Sequence, residues 1–135
     1  MNVTDRFGEG AGKIWRELNS QGPLNENRLI KATELMESNF FASIGWLARE
    51  NKISQYGMFY KLEETNLEEK ISKNAEKIIN VLQKYGELLE DYLPKILELS
   101  EQDTYIAIGW LAREGRINAE EVQPIKPQTT YHIKQ

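Results

Sequence analysis

Cysteine is absent from the 135 residues, and histidine occurs once, at His132. Without thiols the chain forms no disulfide and no thiolate zinc site, and it has no cysteine nucleophile. A single histidine with no carboxylate cluster beside it in the sequence makes neither a zinc site nor a nucleophile and base pair. The acidic residues are spread over predicted helix faces. The sequence therefore predicts a protein that is not an enzyme and that uses no cofactor and no metal.

Long apolar runs and an excess of positive charge are also missing. No run approaches the ~20 residues of a membrane span, and no apolar signal segment opens the chain, which predicts a cytoplasmic protein with no membrane partner. Lys and Arg number 17 against 21 Asp and Glu, for a net charge of −4 and a pI near 5.2. Because duplex DNA binding depends on cations at phosphates, this balance disfavours tight general binding but leaves room for a local basic stripe.

What the chain does contain is a repeat. The seven residues Ile-Gly-Trp-Leu-Ala-Arg-Glu occupy positions 44–50 and return at 108–114, an offset of 64. The same offset pairs further residues without a gap from Ala11 to Ile53, among them Ile14 with Ile78, Leu18 with Leu82 and Leu29 with Leu93. We therefore predict two tandem domains, module 1 (residues 1–64, net charge −1) and module 2 (residues 65–135, net charge −3).

The apolar spacing within module 1 predicts three helices and a β-hairpin. The helices are expected over about 4–20, from a cap at Asn25 or Asn27 to about 36, and over about 40–50; the strands are expected over 52–54 and 58–62. Helix, short strand at Leu24, helix, turn, helix and hairpin is the order of a winged helix. The predicted fold class is therefore mainly α (α+β): a tandem winged helix-turn-helix with three helices and a small β-wing in each copy.

Module 2 repeats this order with two differences. Asn66 and Glu69 form a capping-box pattern that predicts the start of a long helix ending near Tyr85. The second wing, over 117–133, contains Pro124 and Pro127 and is several residues longer than the first.

These motifs resemble a known family. Ala-Gly-Lys-Ile-Trp at 11–15, the turn at Gly22, and Ile-Gly-Trp-Leu-Ala-Arg-Glu-x-Lys/Arg-Ile at 44–53 and 108–117 are similar to small prokaryotic winged helix-turn-helix domains of unknown function. The resemblance covers nearly all of the chain, twice. It implies the general association of winged helices with DNA and transcription, and it brings no catalytic residues. Module 2 departs from the motif at Glu76 and Ile79, which replace Gly12 and Trp15.

The third helix of each module has a core face and an outward face. In a DNA-binding winged helix the outward face of this helix enters the major groove. Helical spacing places Phe40, Phe41, Ile44, Leu47 and Ala48 toward the core of module 1, and Tyr105, Ile108, Leu111 and Ala112 toward the core of module 2. The outward faces are then Asn39, Ala42, Ser43, Trp46, Arg49 and Glu50, and Asp103, Ile106, Ala107, Trp110, Arg113 and Glu114.

Trp46 and Trp110 lie near the middle of these outward faces, and an uncovered indole is costly enough that something should cover it. One interpretation is that each module's own wing covers its tryptophan. The other is that the two tryptophan faces pack against each other, within the chain or across a homodimer. Gly45 and Gly109 favour a neighbouring backbone, because a mid-helix glycine costs about 1 kcal/mol relative to alanine. The predicted protein-interface residues are Trp46, Ile106, Trp110 and Arg113.

Module 1 is the better candidate for nucleic acid. Its predicted nucleic-acid-binding residues are Asn39, Ser43, Arg49, Lys52, Tyr56 and Lys61, with duplex DNA as the partner; the alternative is a solvated polar face. Two functions follow. The leading hypothesis is a DNA-associated regulatory protein, resembling a transcription regulator. The second is a scaffold or adaptor whose third-helix faces pair with each other or with a protein partner and that does not bind DNA. A basic stripe of Arg49, Lys52 and Lys61 would favour the first, and buried third-helix faces would favour the second.

Overall fold

A computed structural model describes residues 2–122 and 128–134 of the chain. Module 1 consists of helix α1, a short strand, two further helices and a hairpin. The elements are α1 (Asp5–Gln21), β1 (Leu24–Asn25), α2 (Glu26–Thr33), α3 (Glu37–Arg49), β2 (Ile53–Tyr56) and β3 (Phe59–Leu62).

Module 2 follows the same order after a connection of residues 63–67. Its elements are α4 (Glu68–Tyr85), β4 (Glu87–Leu89), a 3-10 turn (Glu90–Tyr92), α5 (Leu93–Leu97), α6 (Glu101–Arg113), β5 (Ile117–Val122) and β6 (Gln128–Ile133). None of the helices found within the described residues is both long and apolar enough to cross a membrane.

Each module has a three-stranded antiparallel sheet in which the last strand lies in the middle. The order is β1-β3-β2 in module 1 and β4-β6-β5 in module 2. Leu24 pairs with Tyr60 in the first sheet, and its repeat equivalent Leu88 pairs with Tyr131 in the second. Both tyrosines are fully buried, so the central strand of each sheet contributes a tyrosine to the core of its module. The second wing's Pro124 and Pro127 lie outside the described residues.

The cores form because each long helix has one apolar stripe. In α1 the stripe is Phe7, Ala11, Ile14 and Leu18, all buried, and in α4 it is Ile71, Ala75, Ile78 and Leu82. These stripes pack on the inner faces of α3 and α6, where Ile44 and Ile108 are wholly inaccessible to solvent. The apolar residues of the two modules join into one continuous cluster.

One predicted helix start and one predicted helix cap are wrong. Helix α3 begins at Glu37, so Ser38 and Asn39 lie inside it, and the residue before it is the extended Met36. Helix α4 begins at Glu68 without a side-chain cap. Asn66 instead makes two hydrogen bonds to the backbone of Gln55, one from its Nδ2 to the carbonyl and one at its Oδ1 from the amide. By contrast, Asn25 caps α2 as predicted, through a hydrogen bond from the amide of Arg28.

The two modules meet through α3 and α6, whose backbones approach closely at two glycines. A Cβ built on Gly45 would overlap the carbonyl oxygen of Ile106 and lie 2.8 Å from its carbonyl carbon. A Cβ built on Gly109 would overlap the carbonyl oxygen of Ala42 and lie 2.8 Å from its Cα. The atoms in the way belong to the backbone of the opposite third helix, so no side chain fits at either glycine.

We expect Gly45→Ala to destabilise the protein by about 2 kcal/mol or more, because the overlap outweighs the gain in helix propensity of about 1 kcal/mol. Gly12→Ala is the matched control, since a Cβ there meets only Arg16 Nη1, at an ordinary 3.5 Å. This control should be stabilising by about 0.5–1 kcal/mol. Urea unfolding followed by circular dichroism measures both. A neutral Gly45→Ala would contradict the close approach.

Candidate interaction site at the third helices

The contact between α3 and α6 is nearly symmetric. Gly45 lies against Ile106, and the equivalent residues Gly109 and Ala42 make the same contact in reverse. The C-terminal ends of the two helices also meet, since Arg49 reaches Glu114 there. The contact is therefore reciprocal, as in a symmetric dimer interface with a twofold axis.

Each tryptophan of this contact lies under the arginine of the other module. The guanidinium carbon of Arg49 is 5.5 Å from the ring centroid of Trp110, and that of Arg113 is 5.7 Å from the ring centroid of Trp46. These are cation–π distances. Trp46 also packs on its own first helix, where a Cβ built on Gly8 would lie 3.1 Å from its Cζ2. The covering that the structure gives the two indoles thus includes the opposite module.

The same arginines form reciprocal ion pairs. Nε of Arg49 donates to Oε2 of Glu114 at 3.0 Å, and Nε of Arg113 donates to Oε2 of Glu50 at 3.1 Å. Neighbouring residues on a helix do not face each other, so Arg49 cannot pair with Glu50 in its own helix. Each glutamate instead pairs with the arginine of the opposite module.

The predicted outward faces are partly wrong. Ala42, Ser43 and Ala107, which helical spacing places on the outward faces, are all inaccessible to solvent. Ile106 and Trp110 are also buried, each with 7% of its surface exposed. Ala42 is covered by the opposite third helix at Gly109, whereas Ser43 packs on α1 of its own module, where a Cβ built on Gly10 would lie 3.2 Å from the Cβ of Ser43. The structure thus brings together all four predicted interface residues, Trp46, Ile106, Trp110 and Arg113.

The predicted nucleic-acid residues are not brought together in this way. Ser43 is inside the protein, where its hydroxyl donates to the carbonyl of Asn39 at 2.6 Å. Arg49 is engaged by Glu114, and Nζ of Lys52 lies 3.7 Å from Oε1 of Glu50. Nucleic-acid binding by these residues remains a prediction.

The remaining two, Tyr56 and Lys61, lie on the first wing beside an acid. The Tyr56 hydroxyl donates to Glu63, and Nζ of Lys61 is 3.1 Å from Oε1 of the same carboxylate. These two bonds lower the pKa of Glu63, so the carboxylate is ionised at neutral pH and offsets the charge of Lys61. The predicted stripe of Arg49, Lys52 and Lys61 therefore has an acid beside each of its cations.

A second polar contact links the modules near the start of α2. Oε1 of Glu26 accepts a 2.9 Å hydrogen bond from the hydroxyl of Tyr60 and a 3.4 Å one from Nε2 of Gln102 in module 2. Burial, together with this carboxylate, raises the pKa of Tyr60, so its hydroxyl remains a donor. Among the described residues, no three His, Asp or Glu side chains are grouped to hold a metal ion.

Several residues of the contact were absent from the predicted site. Glu50 and Glu114 supply the acids of the ion pairs, and Ala42 supplies the backbone against Gly109. One signal in the sequence could have found the acids: Arg and Glu end the repeated heptapeptide in both copies, a pattern that suits reciprocal pairing between two equal helices.

Comparison with known proteins agrees with this architecture. A family model described as Winged helix-turn-helix domain (DUF2582) matches residues 1–57 and, a second time, residues 66–124. No curated protein and no solved structure matches the chain.

We expect the pair of Arg49 and Glu114 to be weakly coupled, by about 0.5–1 kcal/mol, because the arginine side chain is 45% exposed and the glutamate 18%. A double-mutant cycle with Arg49→Gln and Glu114→Gln measures the coupling, which 1 M salt should reduce. The control cycle is Lys73→Gln with Glu69→Gln, an i,i+4 pair on a solvated face with side chains 71% and 86% exposed. Equal coupling in the two cycles would contradict a contribution from the module contact.

Trp110→Ala should cost about 3 kcal/mol, because it removes a buried side chain from the module contact. Trp15→Ala is the control: Trp15 is 40% exposed on α1, and its loss should cost ~1 kcal/mol or less. Thermal and urea unfolding compare the two. Similar losses for both variants would show that Trp110 has no special part in holding the modules.

Proposed function

The chain belongs to the DUF2582 family of winged helix-turn-helix domains, of which it carries two tandem copies, and from this premise we propose that it is a non-catalytic protein-association scaffold. In this proposal residues 1–64 and 65–135 act as one paired unit. Their third helices serve to join modules instead of reading DNA.

The observation that carries the proposal is the burial of both third helices against each other. A recognition helix must place side chains in the major groove, about 12 Å wide, with its outward face free. The outward face of α3 is instead covered by α6, at a distance that admits only glycine at position 45. Groove reading by α3 would require the modules to separate.

The charge distribution supports the same conclusion. Non-specific duplex affinity comes from Lys and Arg that can replace counterions at phosphates. Arg49 and Arg113 are engaged by glutamates of the opposite module, and Lys61 is paired with Glu63. DNA contact through these residues would first have to break the ion pairs that they already make.

The fold itself favours a second candidate, the DNA-associated regulator. Winged helix-turn-helix domains are a DNA-binding type of fold, and duplex binding need not involve the third helices. In that case the contacts would come from exposed cations elsewhere, such as Lys13 on α1 or Lys31 on α2. The two candidates make opposite predictions for a simple titration.

Fluorescence anisotropy of a mixed-sequence duplex should show no saturable binding at micromolar protein and near-physiological salt. A titration at low salt, with the Lys52→Ala variant alongside, completes the experiment. Binding that falls steeply with salt and weakens in Lys52→Ala would support the DNA-associated regulator through module 1. Salt-dependent binding that Lys52→Ala leaves unchanged would place the DNA contacts elsewhere, and it too would overturn the scaffold proposal.

A further inference from the structure

The contact surfaces of α3 and α6 are copies of one another. Under the offset of 64, Gly45, Trp46, Arg49 and Glu50 correspond to Gly109, Trp110, Arg113 and Glu114. Three kinds of contact between α3 and α6 occur once in each direction: glycine on backbone, arginine over tryptophan, and arginine with glutamate. A surface with this property is self-complementary, as in a twofold dimer.

Self-complementarity does not depend on both helices belonging to one chain. We propose that the third-helix surface also pairs with a second copy of this chain, so that two chains exchange modules: module 1 of each binds module 2 of the other. This inference rests on the proposed association function and names its partner. The exchanged dimer contains the same two contacts as two closed monomers, and only the connections between modules differ.

The connection between the modules controls how often exchange occurs. Residues 63–67 join β3 to α4, and Asn66 fastens them to the edge strand β2 through Gln55. The amide of Thr65 adds a hydrogen bond to Oδ1 of Asn51. A short, fastened connection keeps the two modules at a high effective concentration, so the closed monomer dominates in dilute solution. Releasing the connection favours exchange.

The test uses two full-length variants with inverted charges. The first carries Arg49→Glu with Glu50→Arg, and the second carries Arg113→Glu with Glu114→Arg. Each variant keeps the composition and net charge of the original chain, and in each the two ion pairs of the closed monomer become like-charge pairs. When the variants are mixed, the altered module 1 and the altered module 2 restore opposite charges at both positions. The two unaltered modules form the original contact.

We expect an equal mixture to form dimers at a protein concentration at least about tenfold lower than either variant alone. Light scattering measures the mass, and native mass spectrometry with one variant labelled with 15N shows that each dimer contains one chain of each kind. A mixture that stays monomeric, with both variants helical by circular dichroism, would overturn the proposal. Dimers of the first variant alone would overturn the pairing of module 1 with module 2, because its two altered modules restore opposite charges to each other.

A second measurement does not depend on the inverted charges. Asn66→Ala removes the fastening of the connection and should raise the dimer fraction of an otherwise unaltered chain at high concentration. Asn80→Ala, at an exposed position of α4, is the control. An unchanged dimer fraction in Asn66→Ala would count against exchange. Duplex binding in the anisotropy titration would overturn the proposed function and leave these results in place, so the two failures are distinguishable.

Discussion

The close approach of two helix backbones is the constraint on which the arrangement of this protein depends. At Gly45 and Gly109 no side chain separates α3 from α6, and the carbonyl groups of Ile106 and Ala42 fill the space that a Cβ would need. At this distance the arginines reach across to the opposite glutamates and tryptophans. Glycine lowers the helix propensity at these two positions. The contact that the glycines permit joins the apolar residues of both modules into one core.

A third helix that packs on its own module and on the opposite module has no free face for reading DNA. In a winged helix that reads DNA, one face of the third helix packs in the core and the opposite face contacts the DNA. In this protein the face that would contact DNA is covered by the third helix of the other module. The proposed association function follows from this competition for one surface, and the acidic balance of the chain, at −4, is in keeping with it.

Much of the fold could be predicted from the repeat and from helical spacing, because a core-facing stripe such as Ile14 and Leu18 leaves a clear periodic signal. The close approach was also foreseeable, since a mid-helix glycine in both copies needs a reason. The faces of α3 were harder to predict, because helical spacing places Ser43 on the outward face, whereas in the structure Ser43 packs on α1 of its own module. Asn66 suits a helix cap in sequence, and only tertiary structure shows that it bonds to the edge strand instead.

The near-symmetric contact also bears on how the two copies have diverged. Gly12 has become Glu76, Trp15 has become Ile79, and the wings differ in length, whereas the heptapeptide at 44–50 is letter for letter the one at 108–114. A change at the glycine, tryptophan, arginine or glutamate of one heptapeptide alters a surface that the other module must still fit. Each copy is thus part of the packing environment of the other, so a substitution at one of these positions affects both modules.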